Sequence, residues 1–271
     1  MQMGMKLATA VVLVSGLSVT SAMAQDCTPK HEFETIEKGK LSVALTNTPP
    51  YSQEEGGAIA GIDGDLVKLF AKENCLDITY EIFTYPAAVS AVQSERADIA
   101  IGGFYRTAAR EKVVTLSTPV YLDQIAVASV DGLDTVDQLL GKKVGTVEGY
   151  AWVLEMEETF EGSGTYPSSL NLAQDLQAGR IDAALEGFGA AVVLNKGTNV
   201  KVKLLKADDR IGATTNASQT SFLLSKTNEA FVSAVNATIN EHRSQGVIAK
   251  TLETYSLDPS AADVGEGRVI Q

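Results

Sequence analysis

The sequence has few cysteines, histidines and basic residues, and each shortage excludes a class of function. Two Cys and two His are too few for a zinc-ribbon or cysteine-cluster site. Only 22 Lys and Arg stand against 34 Asp and Glu, which gives a net charge of −12. A nucleic-acid-binding protein needs clustered basic residues for its phosphate contacts. We therefore expect no metal site, no cofactor and no nucleic-acid partner.

Long apolar runs and low-complexity linkers are also missing. Beyond residue 24, no stretch is long and apolar enough to span a bilayer. Hydrophobic residues still make up 45% of the chain and charged residues 21%, which is typical of a folded globular protein and not of a disordered one. The 271 residues suffice for one large domain or for two of about 100–150 residues each.

The first 24 residues have the pattern of a secretory signal peptide. Lys6 supplies the positive charge, an apolar run follows over residues 7–19, and Ala-Met-Ala at 22–24 fits the cleavage site. The alternative is a buried N-terminal helix. We expect a mature chain that begins at Gln25 and is periplasmic.

Export to the periplasm bears on the two cysteines. In an oxidising compartment Cys27 and Cys75 can form a disulfide. Closing a loop of about 49 residues would stabilise the fold by about 4 kcal/mol in the chain-entropy model. The alternative is a pair of free thiols.

Strand and helix patterns alternate along the chain, which predicts an α/β fold. The first half predicts strands at 40–45, 78–83 and 98–101 and helices at 65–74 and from Pro86. The pattern then restarts, with strands at 121–130, 143–147, 181–185, 200–205 and 221–224 and helices at 135–140, 170–177 and 228–242. This order favours two α/β lobes with parallel sheets over one large sheet. The tail from Asp258 is rich in small residues, and we expect it to be loosely held.

Six short motifs follow one another between residues 39 and 257. They are Lys-Leu-Ser-Val-Ala-Leu at 40–45 with Pro-Pro-Tyr at 49–51, Gly-Ile-Asp-Gly-Asp-Leu at 61–66, Ala-Asp-Ile-Ala-Ile-Gly-Gly at 97–103, Thr-Ala-Ala-Arg at 107–110, Leu-Gly-Lys-Lys-Val-Gly at 140–145 and Gly-Arg-Ile-Asp-Ala-Ala at 179–184. In this order the motifs resemble the amino-acid type (family 3) of periplasmic solute-binding proteins of ABC importers.

The resemblance implies a two-lobed periplasmic-binding-protein fold (type II), each lobe a mostly parallel sheet flanked by helices, that closes over a ligand. Lobe one is expected at 25–121 and 218–271, lobe two at 126–213, and the hinge at 122–125 and 214–217. The implied function is an extracytoplasmic receptor that delivers a small carboxylate-bearing solute, an amino acid or a derivative, to a membrane ABC permease. We expect a monomer that is not an enzyme.

Arg110 is the residue that, by this resemblance, binds the carboxylate of the ligand. A guanidinium suits this role because it donates two parallel charge-assisted hydrogen bonds. Gly102 and Gly103 let backbone N–H groups approach an anion. Tyr85 stands where the family has a stacking aromatic, and Asn47 and Thr48 lie in a loop where the family often has polar ligand contacts. The alternatives are a surface arginine, a tight turn and a core tyrosine.

Aromatic residues stand where the family has smaller ones. Tyr150, Ala151 and Trp152 follow a lobe-two strand where the family usually has Gly-Thr-Thr or Gly-Thr-Ser, and Tyr105 replaces a Ser or Thr. Together with Tyr85, these rings predict an aromatic pocket suited to a flat or cationic ligand. The alternative is that the rings pack the interface between the lobes.

One acidic residue of the family pattern is missing. The family usually has an Asp two residues after Leu185, which pairs with the α-ammonium of the ligand, but this chain has Gly187 there. Either Glu186 takes over, or the ligand lacks an ordinary α-ammonium. Asp65 and Asp182 also match motif positions, and we interpret both as structural.

Two other functions stay open on this fold. An exported enzyme, such as a dehydratase or a lytic transglycosylase relative, would use Glu148 or Glu186 as a general acid, although no catalytic pattern flanks either residue. A ligand-sensing module is the other, and the sequence does not distinguish it from a transport receptor.

Overall fold

Two β-sheets flanked by helices build the protein in a computed structural model that describes residues 27–271. The predicted signal peptide therefore lies outside the described residues. Among residues 27–271, no helix has both the length and the apolar character that a membrane crossing requires.

Strands occur along the whole described chain. They are β1 (Lys40–Thr46), β2 (Gln53–Glu55), β3 (Ala58–Ala60), β4 (Asp77–Phe83), β5 (Ile99–Tyr105), β6 (Thr115–Leu116), β7 (Leu122–Asp123), β8 (Ile125–Ser129), β9 (Val144–Val147), β10 (Gly164–Tyr166), β11 (Ala183–Gly187), β12 (Lys201–Leu204) and β13 (Ser218–Leu224).

Helices alternate with these strands. They are α1 (Ile62–Glu73), α2 (Tyr85–Gln93), α3 (Ala108–Val113), α4 (Val136–Leu139), α5 (Val153–Thr159), α6 (Ser169–Gln177), α7 (Phe188–Leu194), α8 (Glu229–Ser244) and α9 (Val247–Thr254). Short 3-10 turns occur at Gly212–Thr214 and Pro259–Ala262.

The larger strands form two sheets. The first sheet has the order β4-β1-β5-β13-β6, with β7 beside β13, and the second has the order β10-β9-β11-β8-β12. We call the part of the chain that builds the first sheet lobe one (27–123 and 218–271) and the part that builds the second sheet lobe two (125–204). The predicted two-lobed α/β architecture is confirmed, whereas the predicted hinge limits stay a prediction.

One strand in each sheet runs against the others. In lobe one β13 is antiparallel to β5, β6 and β7, and in lobe two β8 is antiparallel to β11 and β12. The neighbouring strands β1, β4 and β5 are parallel, as are β9, β10 and β11. Each sheet is therefore mostly parallel, as predicted, because helices on its faces carry the chain back between strands.

The chain passes from one sheet to the other at Gln124. Leu122 and Asp123 pair with β13 in the first sheet, and Ile125 begins a strand that pairs with β11 in the second. The single strand predicted over 121–130 is therefore wrong. The apolar pattern is continuous because both halves are buried, but burial does not reveal that the two halves join different sheets.

The core of lobe one lies between its sheet and helices α1, α8 and α9. Phe33 stacks on Phe70 with ring centroids 5.7 Å apart, and Phe231 lies 5.2 Å from Phe33. Burying a phenylalanine contributes about 1.5–3 kcal/mol. This packing fixes α1 against the sheet and so holds the loop before α1 in place beside the cleft.

The predicted disulfide between Cys27 and Cys75 is present. The two Cα atoms lie 5.8 Å apart. The bond anchors the first described residues beside the end of α1, where the N–H of Lys30 also donates to the carbonyl oxygen of Glu73 at 3.0 Å.

The C-terminal tail is not loosely held, so that prediction is wrong. The N–H of Ile270 donates to the carbonyl oxygen of Arg106 at 2.9 Å, and the N–H of Ala108 donates to the carbonyl oxygen of Ile270 at 2.8 Å. Small residues suggest mobility, but backbone groups at an otherwise unpaired edge can still fix such a segment. The tail thereby supports the start of α3.

Candidate functional site

A cavity between the lobes is lined by aromatic rings, one arginine and one aspartate. Its volume is about 10 Å³, which is room for about one water molecule. A solute of amino-acid size can therefore enter only when the lobes separate. The lining residues are Tyr51, Tyr85, Gly103, Tyr105, Arg110, Asp123, Tyr150, Ala151, Trp152 and Gly187.

Arg110 lies in the first turn of α3 and is only 8% exposed. The Thr107 hydroxyl caps this helix by accepting from the N–H of Arg110 at 3.2 Å. The Arg110 guanidinium donates from Nη1 to the carbonyl oxygen of Tyr105 at 2.5 Å and from Nη2 to that of Gly149 at 2.8 Å. Burial lowers the pKa of Arg110 to about 10, so the guanidinium stays protonated at neutral pH. Because Gly149 belongs to lobe two, opening of the lobes would free Nη2.

Gly102 and Gly103 do present their N–H groups to an anion, but the anion is a side chain of the protein. Both donate to Oδ2 of Asp63, at 2.9 and 2.8 Å, and the Tyr121 hydroxyl donates to Oδ1 at 2.8 Å. Burial raises the pKa of Asp63 to about 6. Gly103 still lines the cavity, with a φ of +64° and a position for Cβ only 3.0 Å from the Tyr51 ring. Sequence reasoning did not single out Asp63, although it lies in one of the quoted motifs.

The four predicted aromatic residues do converge. Ring centroids lie 4.8 Å apart for Tyr85 and Tyr150 and 4.9 Å apart for Tyr150 and Trp152. Those of Tyr105 and Trp152 lie 5.5 Å apart. Two rings come from each lobe, and they meet edge-on or tilted, as aromatic pairs prefer. The rings therefore line the cavity and pack the lobe interface at once, so the two interpretations of the sequence describe the same contacts.

Polar groups around Tyr85 come from β5 and from the loop after β1. The Tyr85 hydroxyl donates to the carbonyl oxygen of Gly102, and its oxygen lies 3.2 Å from the Thr48 hydroxyl oxygen. Thr48 is buried, whereas the neighbouring Asn47 is exposed and does not line the cavity. The predicted ligand contact at Asn47 therefore has no counterpart in this closed arrangement.

Asp123 and Tyr51 line the cavity, although sequence reasoning did not select them. Asp123 is 8% exposed, and its Oδ2 accepts from the hydroxyls of Tyr51 at 2.7 Å and Tyr105 at 2.9 Å. Burial raises the pKa of Asp123 to about 6, against the opposing effect of these hydrogen bonds. The Tyr51 hydroxyl also accepts from the N–H of Gly189 in lobe two at 2.8 Å. A lone acid within the apolar run 121–130 was the signal that could have revealed Asp123.

Glu186 is buried beside the site but does not line the cavity. Its Oε1 accepts from the Tyr150 hydroxyl at 2.5 Å, and that hydroxyl also lies 3.1 Å from the Ser169 hydroxyl. Burial raises the pKa of Glu186 to about 7. Glu186 therefore contacts the cavity lining at Tyr150 and at the N–H of Gly187, whereas Ala151 borders the cavity directly.

Asp65 and Asp182 make structural contacts outside the cavity lining. Asp65 accepts from the Tyr255 hydroxyl at 2.8 Å and thereby ties α1 to the end of α9. Asp182 accepts from the N–H of Lys143 at 2.8 Å beside β9. Both arrangements agree with the structural interpretation of the sequence.

Known proteins resemble the chain in sequence. Residues 41–258 match the family described as bacterial extracellular solute-binding proteins, family 3. The chain is 29% identical over 254 residues to the L-cystine-binding protein TcyJ of Escherichia coli (strain K12), a match that covers 91% of this chain and 92% of that protein. It is 28% identical over 210 residues to the putative ABC transporter arginine-binding protein 2 of the same strain, covering 76% of this chain and 80% of that protein.

Solved structures resemble the chain in fold. The amino acid ABC transporter substrate-binding protein AbpA from Streptococcus pneumoniae, bound to L-arginine, superposes with a TM-score of 0.72 at 25% identity, covering 83% of this chain and 96% of that chain. EhuB in complex with hydroxyectoine gives a TM-score of 0.71 at 22% identity, covering 84% and 92%. The fold is therefore that of type II periplasmic binding proteins.

Proposed function

The chain belongs to the bacterial extracellular solute-binding proteins, family 3, and from this premise we propose that it is the extracytoplasmic receptor of an ABC importer. Its ligand is a small carboxylate-bearing solute, an amino acid or an amino-acid derivative, held between the two lobes and delivered to a membrane permease. The relatives that bind L-cystine and arginine support this ligand class.

The observation that carries the proposal is the buried charge of Arg110. Its guanidinium donates to two neutral carbonyl oxygens, and no carboxylate among residues 27–271 lies within ion-pair distance of it. A buried charge without a counter-ion is costly. A ligand carboxylate would supply that counter-ion through two charge-assisted hydrogen bonds.

Binding then follows from opening and closing of the lobes. Separation breaks the hydrogen bonds from Arg110 to Gly149 and from Gly189 to Tyr51, which both connect lobe one with lobe two. The freed guanidinium edge and N–H group face the cleft that a solute enters. Closure over the solute removes it from water and lets the aromatic rings contact it.

The same geometry supports a receptor rather than an enzyme. Glu186, with its pKa raised to about 7 by burial, would be the obvious general acid. Its carboxyl group is held by Tyr150, and neither Glu186 nor Glu148 lines the cavity. We therefore propose that binding involves no covalent chemistry.

Location and partners complete the proposal. The disulfide between Cys27 and Cys75 fits an oxidising compartment, and the predicted signal peptide would direct the chain there. We propose a monomer in the periplasm whose macromolecular partner is the permease.

Replacing Arg110 by Lys tests the carboxylate contact. The lysine keeps the charge but loses the paired donors, so affinity should fall about 10–100-fold. Isothermal titration with L-cystine and with L-arginine measures this, and mass spectrometry of solute released from the denatured protein reveals what the native protein carries.

Arg180→Lys is the matched control, because Arg180 is an exposed arginine of lobe two that pairs with Asp175. This variant should bind as the unmodified protein does. Binding of Arg110→Lys within about twofold of the unmodified protein would disprove the carboxylate contact. Conversion of a bound solute into a new product would favour the enzyme interpretation.

A further inference from the structure

The cavity contains one positive and one negative side chain, and every other lining residue is neutral. Arg110 and Asp123 are each 8% exposed. Tyr105 connects them, because its carbonyl oxygen accepts from Arg110 and its hydroxyl donates to Asp123. The two charges therefore lie at opposite ends of one tyrosine. Such a pair matches a solute that carries both an anionic and a cationic group.

Gly187 shows how closely Asp123 approaches lobe two. Its φ of −59° suits any residue, so backbone conformation does not require glycine. A Cβ at this position would lie 2.7 Å from Oδ2 of Asp123 and 3.0 Å from the hydroxyl oxygen of Tyr51. The Asp123 carboxylate therefore fills the space that a side chain at residue 187 would need.

Glu186 is another buried acid beside the site, but it does not line the cavity. Gly187 is the residue of β11 that borders the cavity. The Oε1 atom of Glu186 instead accepts from the Tyr150 hydroxyl at 2.5 Å. Among the described residues that line the cavity, Asp123 is the one acid.

We propose that Asp123 binds the ammonium group of the solute whose carboxylate binds Arg110, so that the protein selects zwitterionic amino acids over simple carboxylic acids. This inference rests on the proposed function. The hydroxyls of Tyr51 and Tyr105 hold the carboxylate in place, and the surrounding rings favour a cation electrostatically. Because Asp123 lies in β7, where the chain crosses between the lobes, ammonium binding also acts directly on the crossing segment.

Asp123→Asn tests the inference with paired probes. Each pair is an amino acid and the same acid without its amino group: L-cystine with dithiodipropionate, and L-arginine with guanidinovalerate. For the amino acid that the unmodified protein binds best, affinity should fall at least about 30-fold, equivalent to about 2 kcal/mol. Affinity for the analogue without the amino group should change less than about threefold. Asp182→Asn, which alters a structural carboxylate of lobe two, should leave both affinities unchanged.

A second variant covers the case in which Asp123→Asn disturbs the fold. Moving the carboxylate by combining Asp123→Ser with Gly187→Asp should restore amino-acid binding to within about tenfold of the unmodified protein. Equal losses for both members of a probe pair, or no loss at all, would overturn the inference. So would an unmodified protein that binds the acids without amino groups as tightly as the amino acids. Failure of every probe to bind the unmodified protein would refute the proposed function itself.

Discussion

At the scale of single residues, the charged groups around the cavity differ in their response to pH. Burial lowers the pKa of Arg110 to about 10, so its charge is constant over the physiological range. Burial raises the pKa of Asp63 and Asp123 to about 6 and that of Glu186 to about 7. These three carboxyl groups therefore titrate near neutrality, whereas exposed carboxylates titrate near pH 4.

The stability of the protein without added solute should consequently rise as the pH is lowered from about 7.5 to about 5. Between the unfolded and folded pKa values, the folded state binds more protons than the unfolded state, so the free energy of unfolding falls as pH rises. The cost of the buried charges is fully present above about pH 8 and is lost below about pH 4. One carboxyl group shifted by about two pKa units corresponds to about 2–3 kcal/mol, or about 5–10 °C in Tm.

Thermal unfolding across this pH range measures the effect, and Asp123→Asn serves as the internal comparison. An amide cannot ionise, so this variant should show a smaller dependence on pH and a higher Tm at about pH 7.5. Carboxylates with a lowered pKa, such as Asp208 at about 2, act only at lower pH. A Tm that falls steadily from about pH 7.5 to about pH 5 would contradict the assignment.

At the scale of elements, the sequence predicts strands with clear patterns and misses helices without them. Strands β1, β4 and β9 lie within one residue of their predicted ends because their residues alternate or are β-branched. Helix α7 was missed because its apolar residues (Phe188–Leu194) show no polar face, and α5 was missed because Met156 is its one buried residue. Periodicity reports an amphipathic face and so is silent where no such face exists.

The residues of the candidate site likewise differ in whether the sequence alone reveals them. Arg110 lies in a quoted motif, and the four aromatic residues stand at positions that the family resemblance identifies, so a sequence comparison alone places them. Asp123 joins the site only because the chain changes sheet directly after it and because Gly187 leaves space for its carboxylate. Neither condition is local in sequence, which is why no motif contains it.

The C-terminal tail is hydrogen-bonded beside the turn that carries Arg110. Its hydrogen bonds to Arg106 and Ala108 flank the turn that positions Arg110. Deleting residues 268–271 should therefore speed amide exchange at Ala108, whose N–H donates to Ile270, and should weaken solute binding about 3–10-fold by loosening the guanidinium. Hydrogen exchange resolved at single residues measures the first effect, and titration calorimetry measures the second.

The amide of Leu45, in the buried centre of β1, provides the control for this truncation. Its exchange should stay unchanged, since the tail contacts a different part of lobe one. If Ala108 exchanges equally fast in the full chain and in the truncated chain, the tail does not support the turn.

At the scale of the whole molecule, the lobes meet at the cavity through hydrogen bonds and aromatic contacts. Arg110 donates to Gly149, the N–H of Gly189 donates to Tyr51, and the ring of Tyr85 meets that of Tyr150. All three contacts lie at the cavity, where a solute would be held. Under the proposed function, lobe closure and solute binding are coupled, because whatever keeps the lobes apart also separates the groups proposed to contact the solute.

Replacement of Gly149 should impair closure of the lobes without lowering the free energy of unfolding more than a matched control does. Its φ is +74°, and a Cβ there would lie 2.8 Å from Cδ of Pro86 in lobe one, so Gly149→Ala should wedge the lobes apart. Gly162, also in lobe two, has a φ of +72° but nothing within 4 Å of its Cβ position, so Gly162→Ala carries the same backbone strain without the wedge. Both variants should lose similar unfolding free energy, about 1 kcal/mol.

Only Gly149→Ala should show a larger radius of gyration by X-ray scattering with saturating L-cystine or L-arginine. Its affinity for the solute should also be about 5–30-fold weaker. Equal scattering and equal affinity for the two variants would show that contact at this rim does not limit closure.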